Sequence, residues 1–157
     1  MICKGDFMIK KILKFLLFLL FWFLPSLICR DYSYFDSINT PFFTISKPLF
    51  GIAWTILYVL ITISIFKISE SNFYNLKEYK KDLFYNYIFN QLFTIIFFCF
   101  KNNFLAFIDV LLTLITSLFL YYETKEIDKK ASRFLIPYII FLIYAFILSL
   151  TIYFINL

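Results

Sequence analysis

The chain of 157 residues is too apolar for an ordinary soluble domain. Apolar residues make up 62% of it and charged residues 16%, whereas globular domains have about 45–50% and about 25%. Its net charge of +5 comes from basic residues confined to short segments, which is not the footprint of a nucleic-acid-binding protein. With three scattered cysteines, two glycines and no histidine, the chain lacks the ligands of a metal site, a histidine acid or base and a glycine-rich phosphate loop. The composition favours a membrane protein and argues against most enzyme chemistry.

Five apolar stretches account for most of the chain, each close to the roughly 20 residues with which a helix crosses a bilayer. Charged residues lie almost entirely between them, and the connecting segments are short. The sequence therefore predicts an all-α fold, in which residues 1–157 form a single integral membrane domain with a bundle of five transmembrane helices. The predicted helices cover about residues 12–29, 49–66, 83–100, 104–122 and 134–156.

The basic residues alternate between the two sides of this predicted bundle. Twelve of the fifteen lysines and arginines precede the first span, separate the second from the third, or separate the fourth from the fifth. The other side keeps only Arg30, Lys47 and Lys101. Because basic residues near span ends stay on the cytoplasmic side, the N-terminus is predicted to be cytoplasmic and the C-terminus external.

The first apolar stretch has a second interpretation, because lysines followed by an apolar run also resemble a secretory signal. Residues 26–29, Ser-Leu-Ile-Cys, suggest a lipoprotein cleavage site. Ile28, however, is bulky where a signal peptidase requires a small residue, and cleavage would leave four spans. We favour a retained helix, which Pro25 can bend.

Polar and small residues recur at helical spacing along four of the predicted spans. In lipid such residues face one another, while Leu, Ile and Phe face the acyl chains, so these stripes indicate the interior of the bundle. The members are Gly51, Thr55, Tyr58 and Thr62 in the second span, Tyr87, Asn90, Gln91 and Thr94 in the third, Asp109, Thr113 and Thr116 in the fourth, and Tyr138, Ala145 and Ser149 in the fifth. Two roles stay open, helix-to-helix hydrogen bonding and the lining of a ligand site. The adjacent amides Asn90 and Gln91 offer more donors and acceptors than packing requires.

Asp109 is the only acidic residue well inside a predicted span. A carboxylate at that depth is costly and indicates a functional site by default. It lies within two turns of the start of the fourth helix, beyond the first turn that the helix dipole stabilises. We favour structural anchoring through hydrogen bonds, with a role towards a ligand or a proton as the alternative.

The segment from Arg30 to Ser46 is the longest on its side of the bundle and is unusually aromatic. Its aromatic residues are Tyr32, Tyr34, Phe35, Phe42 and Phe43. Linkers that stay in water are not built this way. The segment either folds down as a lid over the bundle or lies in the membrane interface, and composition does not choose between the two.

The spacing of these residues resembles that of the TspO/MBR family, the translocator proteins also called tryptophan-rich sensory proteins. The resemblance runs from about Tyr34 to Asn156, and no single motif in it is decisive, but the joint spacing is specific. It is carried by residues 34–46 (YFDSINTPFFTIS), residues 48–58 (PLFGIAWTILY), Asn90-Gln91, Phe97-Phe98, Ala106 with Asp109, Pro137-Tyr138 and Ala145-Phe146. Five spans with the N-terminus inside are also the architecture of the family.

The resemblance implies a bundle, commonly a homodimer, that binds porphyrins, haem-related tetrapyrroles and, in animal members, cholesterol and synthetic ligands. It places the pocket between the helices, beneath the first loop. Carried over position by position, the lining residues of this chain are Phe50, Gly51, Ala53, Trp54, Asn90, Phe93, Leu105, Ile108, Asp109, Leu112, Phe141, Ala145 and Leu148. Four of them, Gly51, Asn90, Asp109 and Ala145, also belong to the stripes found from periodicity.

Most tryptophans of the family are replaced in this chain. Only Trp54 remains, and the other positions hold Tyr34, Phe43, Pro48, Gln91, Phe93, Leu105 and Phe141. Phenylalanine can still stack on a flat ring, but the indole N–H is lost. Light-dependent porphyrin breakdown, which the resemblance links to the pocket tryptophans, is therefore not expected. Cholesterol binding is not supported either, because no basic residue follows Arg133 at the end of the fifth helix.

Together these features predict a membrane protein without enzyme activity that binds a flat hydrophobic ligand, a porphyrin or haem-like tetrapyrrole, for transport, sensing as a receptor, or sequestration. No cofactor or metal is required. One alternative is an assembly or partner subunit without a ligand, and another is porphyrin degradation. The abundance of Lys, Ile, Asn and Phe is typical of an AT-rich bacterial genome, and hence of a cytoplasmic membrane. A eukaryotic origin implies the outer mitochondrial membrane.

Overall fold

The computed structural model describes residues 4–24, 33–71, 73 and 75–157, and every regular element among them is a helix. The all-α fold predicted from the sequence is therefore confirmed. Pro25, the Ser-Leu-Ile-Cys motif, Arg30 and Tyr32 lie outside the described residues. The helices are α1 (Lys4–Phe23), α2 (Ser33–Ser37), α3 (Lys47–Ser69), α4 (Lys77–Thr94), α5 (Asn103–Ile127), α6 (Lys129–Ser132) and α7 (Ile136–Ile155); the π-helical turn Ile95–Cys99 continues α4, and the 3-10 turn Arg133–Leu135 joins α6 to α7.

Several helices extend beyond the apolar stretches from which they were predicted. Helix α4 begins at Lys77, six residues before the predicted residue 83, and α5 continues to Ile127 instead of ending at residue 122. The added residues include Lys and Glu, which have good helix propensity although they are polar. Hydropathy therefore locates the part of a helix that suits lipid, while backbone hydrogen bonding continues into the charged flanks.

Side chains and prolines fix two of the helix starts. Pro48 occupies the first turn of α3, where its missing N–H costs nothing. At the start of α5, the Asn102 side chain accepts a hydrogen bond from the Leu105 N–H at 2.9 Å. Lys101, just before this cap, has a φ of 52°, in the left-handed region, and so turns the chain sharply from α4 into α5.

Three helical segments of the described chain are long and apolar enough to cross a membrane, namely Lys47–Ser69, Asn103–Ile127 and Lys129–Ile155. Helix α1 carries lysines in its first half, and α4 begins with several charged residues. That these two helices also cross the bilayer, which would make five spans, stays a prediction.

The helices pack so that the molecule has two distinct ends. Helices α4 and α5 form a tight antiparallel pair, α5 also packs on α7, and α1 packs on α3. We call the end where α3 and α5 begin and α7 finishes the lid end. The opposite end, where α3 and α5 finish and α4 begins, is rich in lysine and is called the basic end.

A small cluster of charges joins α1 to α3 at the basic end. The Glu70 carboxylate pairs with Lys11 Nζ at 2.7 Å and with Lys14 Nζ at 2.9 Å. Hydrogen bonds from Lys11 and Lys14 lower the pKa of Glu70 from 4.5 to about 2. Since these side chains are exposed to solvent, the cluster contributes little to stability.

Cys99, in the π-helical turn, is disulfide-bonded. The sequence did not predict a disulfide, because three cysteines without regular spacing indicate no particular pairing. The other two cysteines, Cys3 and Cys29, lie outside the described residues.

Candidate ligand-binding site

A cavity of about 560 Å³ lies among the helices at the lid end. This volume is within the range of about 300–1,000 Å³ that is usual for small-molecule sites. The described residues that line it are Phe23, Phe35, Thr44, Ile45, Lys47, Pro48, Phe50, Gly51, Trp54, Thr55, Tyr58, Asn90, Phe93, Thr94, Phe97, Phe98, Ala145, Leu148, Ser149 and Ile152. The wall is mostly apolar and aromatic, with a few polar groups.

Aromatic rings from α3 and α7 surround Trp54. Its ring centroid lies 5.4 Å from that of Tyr58, 5.4 Å from that of Phe141 and 6.2 Å from that of Phe50. On the α4 side of the cavity, the rings of Phe93 and Phe97 are stacked, with their centroids 5.5 Å apart and their planes 9° apart. Rings held in this way keep fixed orientations and present flat faces to a ligand.

A chain of hydrogen bonds forms the polar floor of the cavity. The Tyr58 hydroxyl donates to Asn90 Oδ1 at 3.2 Å, and Asn90 Nδ2 donates to the Tyr138 hydroxyl at 3.0 Å. Tyr138 donates in turn to Asn86 Oδ1 at 3.2 Å, and Asn86 Nδ2 donates to the Thr113 carbonyl at 3.1 Å. The chain links α3, α4, α7 and α5, so part of the predicted interior stripe does hold helices together. The Asn90 amide keeps a second N–H and a second lone pair on the cavity wall.

Residues 33–46 fold over the cavity, and we call this segment the lid. The Tyr144 hydroxyl of α7 donates to the Phe43 carbonyl and accepts from the Ile45 N–H, both at 3.2 Å. Asn39 and Asn156 exchange two hydrogen bonds of 2.9 Å, from the Asn39 N–H to Asn156 Oδ1 and from Asn156 Nδ2 to the Asn39 carbonyl. The segment thus docks on the end of α7, which decides between the two placements left open by the sequence.

The first part of the lid docks on the α4–α5 turn. The Tyr34 hydroxyl donates to Asn103 Oδ1 at 2.9 Å. The rings of Tyr34 and Phe35 lie 5.5 Å and 6.2 Å from the ring of Phe97. These contacts bring Phe35 to the cavity wall. Phe42 is the exception among the lid aromatics, since its side chain is fully exposed.

The structure brings seven of the thirteen predicted lining residues to the cavity. They are Phe50, Gly51, Trp54, Asn90, Phe93, Ala145 and Leu148. Phe141 stands behind them, with its ring 5.7 Å from Phe50 and 5.4 Å from Trp54. Ala53 is half-buried and is not part of the described wall.

The four predicted lining residues on α5 lie elsewhere. Leu105 and Leu112 are exposed on the outside of the bundle, Ile108 is half-buried, and Asp109 is buried. Among the described residues, none from α5 lines the large cavity; Val110 and Thr113 of this helix border a neighbouring space of only about 20 Å³. Helix α5 packs on α4 and α7, and in this smaller space it meets Phe50, Trp54 and Asn90 from the wall of the large cavity.

Asp109 does not show the hydrogen-bond anchoring that was expected for it. Its Oδ2 is buried and has no hydrogen-bond partner among the described residues, while its backbone carbonyl accepts from the Thr113 hydroxyl at 2.9 Å. Gln91 is a second buried polar group of this kind, since within the described part of the chain neither Nε2 nor Oε1 of its amide has a partner. The interior of the bundle is therefore only partly satisfied by its own hydrogen bonds.

Sequence reasoning missed several lining residues, in two groups. Thr55, Tyr58, Thr94 and Ser149 carried a signal, because the polar stripes marked them as interior. The others come from the lid, the π-helical turn, the end of α1, the first turn of α3 and the last turns of α7, and include Phe35, Phe98, Phe23, Lys47 and Ile152. Their placement follows from how the lid docks, which no periodicity records.

These features define a helical membrane protein that holds an apolar cavity under a docked lid. The chain belongs to the TspO/MBR family, whose sequence profile matches residues 14–155.

Three relatives show how widely this resemblance extends. The chain is 35% identical to the tryptophan-rich protein TspO of Bacillus cereus over 145 residues, which is 92% of this chain and 95% of that one. It is 34% identical to the uncharacterized membrane protein YtaB of Bacillus subtilis, over 81% of this chain and 83% of YtaB. It is 31% identical to the tryptophan-rich protein TspO of Archaeoglobus fulgidus, over 79% of this chain and 80% of that one.

Proposed function

We propose that this TspO/MBR-family protein binds a flat hydrophobic ligand of the porphyrin or haem-like tetrapyrrole class in the cavity at the lid end. The carrying observation is the size and lining of that cavity, about 560 Å³ with aromatic rings contributed by α3 and α4. Trp54 and Phe50 form one aromatic surface, and the stacked pair Phe93 and Phe97 forms another. A flat ring between such surfaces buries both of its faces.

Two side chains would orient the bound ligand through hydrogen bonds. Asn90 keeps an N–H for a ligand acceptor after its bonds to Tyr58 and Tyr138. Trp54 offers the indole N–H on the opposite helix. Few but fixed polar groups in an apolar wall are what orient a ligand in sites of this kind.

Porphyrin titration of the purified protein tests the proposal. We expect saturable binding at micromolar porphyrin, followed by tryptophan quenching and by the shift of the porphyrin absorbance. Asn90→Ala removes the proposed hydrogen bond to the ligand, together with the bonds to Tyr58 and Tyr138, and is expected to weaken binding at least about tenfold. Phe154→Leu, on the outer surface of α7, serves as the control. Absence of saturable binding at micromolar ligand rules the proposal out.

Binding is proposed to occur without turnover and without a cofactor. The chain has no histidine, and most tryptophan positions of the family hold other residues. We expect bound porphyrin to lose its absorbance under light and oxygen no faster than porphyrin in protein-free detergent. Faster loss that depends on Trp54 would instead favour degradation.

A second candidate is a membrane assembly or partner subunit without a small-molecule ligand. It is favoured by the loss of the tryptophans and by the Asn90 amide, which already bonds to Tyr58 and Tyr138. A stable copurifying partner together with no porphyrin signal would support it.

We further propose that the protein forms a homodimer in a bacterial cytoplasmic membrane, in line with its Bacillus relatives. We propose that binding serves transport, reception or sequestration, and a comparison of porphyrin content and export in cells with and without the protein distinguishes these roles.

A further inference from the structure

The cavity wall carries one charge. Of the twenty described residues that line the cavity, Lys47 is the only one that is charged. It is the first residue of α3, where the chain leaves the lid. Its Nζ pairs with Asp36 Oδ2 of α2 at 2.5 Å and lies 5.8 Å from the centre of the Phe35 ring.

The Lys47–Asp36 pair lies at the boundary between the cavity and water. The Lys47 side chain is 39% exposed and that of Asp36 is 69% exposed. Exposed pairs of this kind contribute little to stability. Asp36 can therefore be exchanged for another carboxylate without a large loss in the folded protein.

We propose that Lys47 binds a carboxylate of the ligand, which replaces Asp36 as one partner of the ammonium group. The inference rests on the proposed function and narrows it to amphipathic ligands, with a flat apolar ring in the cavity and an anionic group at its mouth. An anion buried in an apolar wall without a cation is strongly disfavoured. Lys47, which lines the cavity, offsets that penalty at the rim, because a lysine can bury its methylene stem and keep its ammonium group near water.

The lid end offers a matched control for this role. Lys101 lies on the same end, with its Nζ 6.0 Å from the centre of the Tyr34 ring. It is absent from the lining of the cavity. A general attraction between a basic surface and an anionic ligand would involve Lys101 as much as Lys47, whereas direct contact would involve Lys47 alone.

The test compares protoporphyrin IX with its dimethyl ester, which has the same ring and no carboxylates. Both are titrated into the full-length protein and into Lys47→Gln, Lys101→Gln and Asp36→Asn. We expect the native protein to bind the acid about tenfold more tightly than the ester. Lys47→Gln should lower acid affinity about tenfold, to that of the ester, and saturable ester binding by the same variant shows that it is folded. Lys101→Gln should change neither, and Asp36→Asn should strengthen acid binding because a competing carboxylate is gone.

The outcomes separate this inference from the proposed function. Saturable binding of both porphyrins with equal affinity overturns the role of Lys47 and leaves the proposed function standing. A preference for the acid that survives in Lys47→Gln, or is lost equally in Lys101→Gln, also overturns it. If neither porphyrin binds saturably, the proposed function itself fails, and the inference fails with it.

Discussion

The two ends of the bundle are built on opposite principles. Towards the basic end, large residues are at most 1% exposed and pack as one cluster, among them Ile61, Ile68, Leu120 and Leu135. Towards the lid end, described residues of α3, α4 and α7 line a cavity of about 560 Å³. Protein interiors are normally filled to crystal-like density, so the unfilled half forgoes packing energy that the other half gains. The basic end therefore supplies most of the packing that holds the fold together, and the lid end leaves the space in which the proposed ligand would bind.

The hydrogen-bonded chain from Tyr58 through Asn90 and Tyr138 to Asn86 separates the two halves. Trp22 of α1 packs against the same level, stacked on Tyr58 with the ring centroids 5.6 Å apart. Buried polar groups need partners when no water reaches them. Together with the bond from Asn86 Nδ2 to the Thr113 carbonyl, this layer joins α3, α4, α5 and α7 at the level of the cavity floor.

The largest expected effect comes from removing the same side chain on each side of that layer. Leu120→Ala in the packed half is expected to cost about 2–5 kcal/mol, because it opens a void in a filled core. Leu148→Ala on the cavity wall should cost about half as much or less, since the space beside it is already empty. Thermal unfolding of both variants in detergent measures the difference, and equal losses would contradict the division into two halves.

Removing the central hydroxyl of the dividing layer should have the next largest effect. Tyr138→Phe removes two hydrogen bonds, the one that Asn90 Nδ2 donates to the Tyr138 hydroxyl and the one that this hydroxyl donates to Asn86 Oδ1. Leaving buried polar groups unpaired costs about 1–3 kcal/mol. Tyr153→Phe, on the same helix but outside this chain of bonds, is the control and should unfold at nearly the native temperature. If both variants are equally stable, the layer does not act as a structural divider.

Opening the lid should be possible without much loss of stability. Asn156→Ala removes both hydrogen bonds to Asn39 at the docked edge of the lid, which are together worth about 1–2 kcal/mol. Amide hydrogen exchange within the lid should become several-fold faster while exchange in α3 and α5 stays slow. Asn75→Ala, which alters a hydrogen bond to the Lys77 N–H at the basic end, should leave lid exchange unchanged. Unchanged lid exchange in Asn156→Ala would show that other contacts hold the lid.

The smallest expected effect is a pH dependence at the basic end. Because the pKa of Glu70 falls from 4.5 to about 2 in the folded protein, its pairing with Lys11 and Lys14 stabilises the fold above pH 4.5. That contribution is lost as the pH falls from about 4.5 towards 2, where the carboxylate takes up a proton. The difference in melting temperature between the native protein and Glu70→Gln should shrink over this window. A difference that does not vary with pH would exclude a role for the Glu70 charge.

Many features of this structure were predicted from the sequence, and the features that were not predicted have identifiable physical causes. The polar stripes correctly marked Tyr58, Asn90 and Tyr138 as interior, since periodicity reports which residues share a helix face. Of the residues transferred position by position from the family, those on α3, α4 and α7 mostly line the cavity, whereas α5 residues such as Leu105 lie outside its described wall. Periodicity identifies the inward face of a helix but does not predict which helix that face contacts, because the contact depends on residues far away in sequence.

The sequence by itself determined that the chain is helical, apolar enough for a membrane and divided into stripes of lipid-facing and inward-facing residues. These properties are local, since they depend on side chains spaced by one or two turns. Only the tertiary structure decided that the aromatic segment docks as a lid and that Lys47 reaches the cavity. The contacts that settle both join residues about 100 positions apart, such as Phe43 with Tyr144 and Asn39 with Asn156. Such pairings depend on the free energy of the whole packed bundle and cannot be predicted from any single segment.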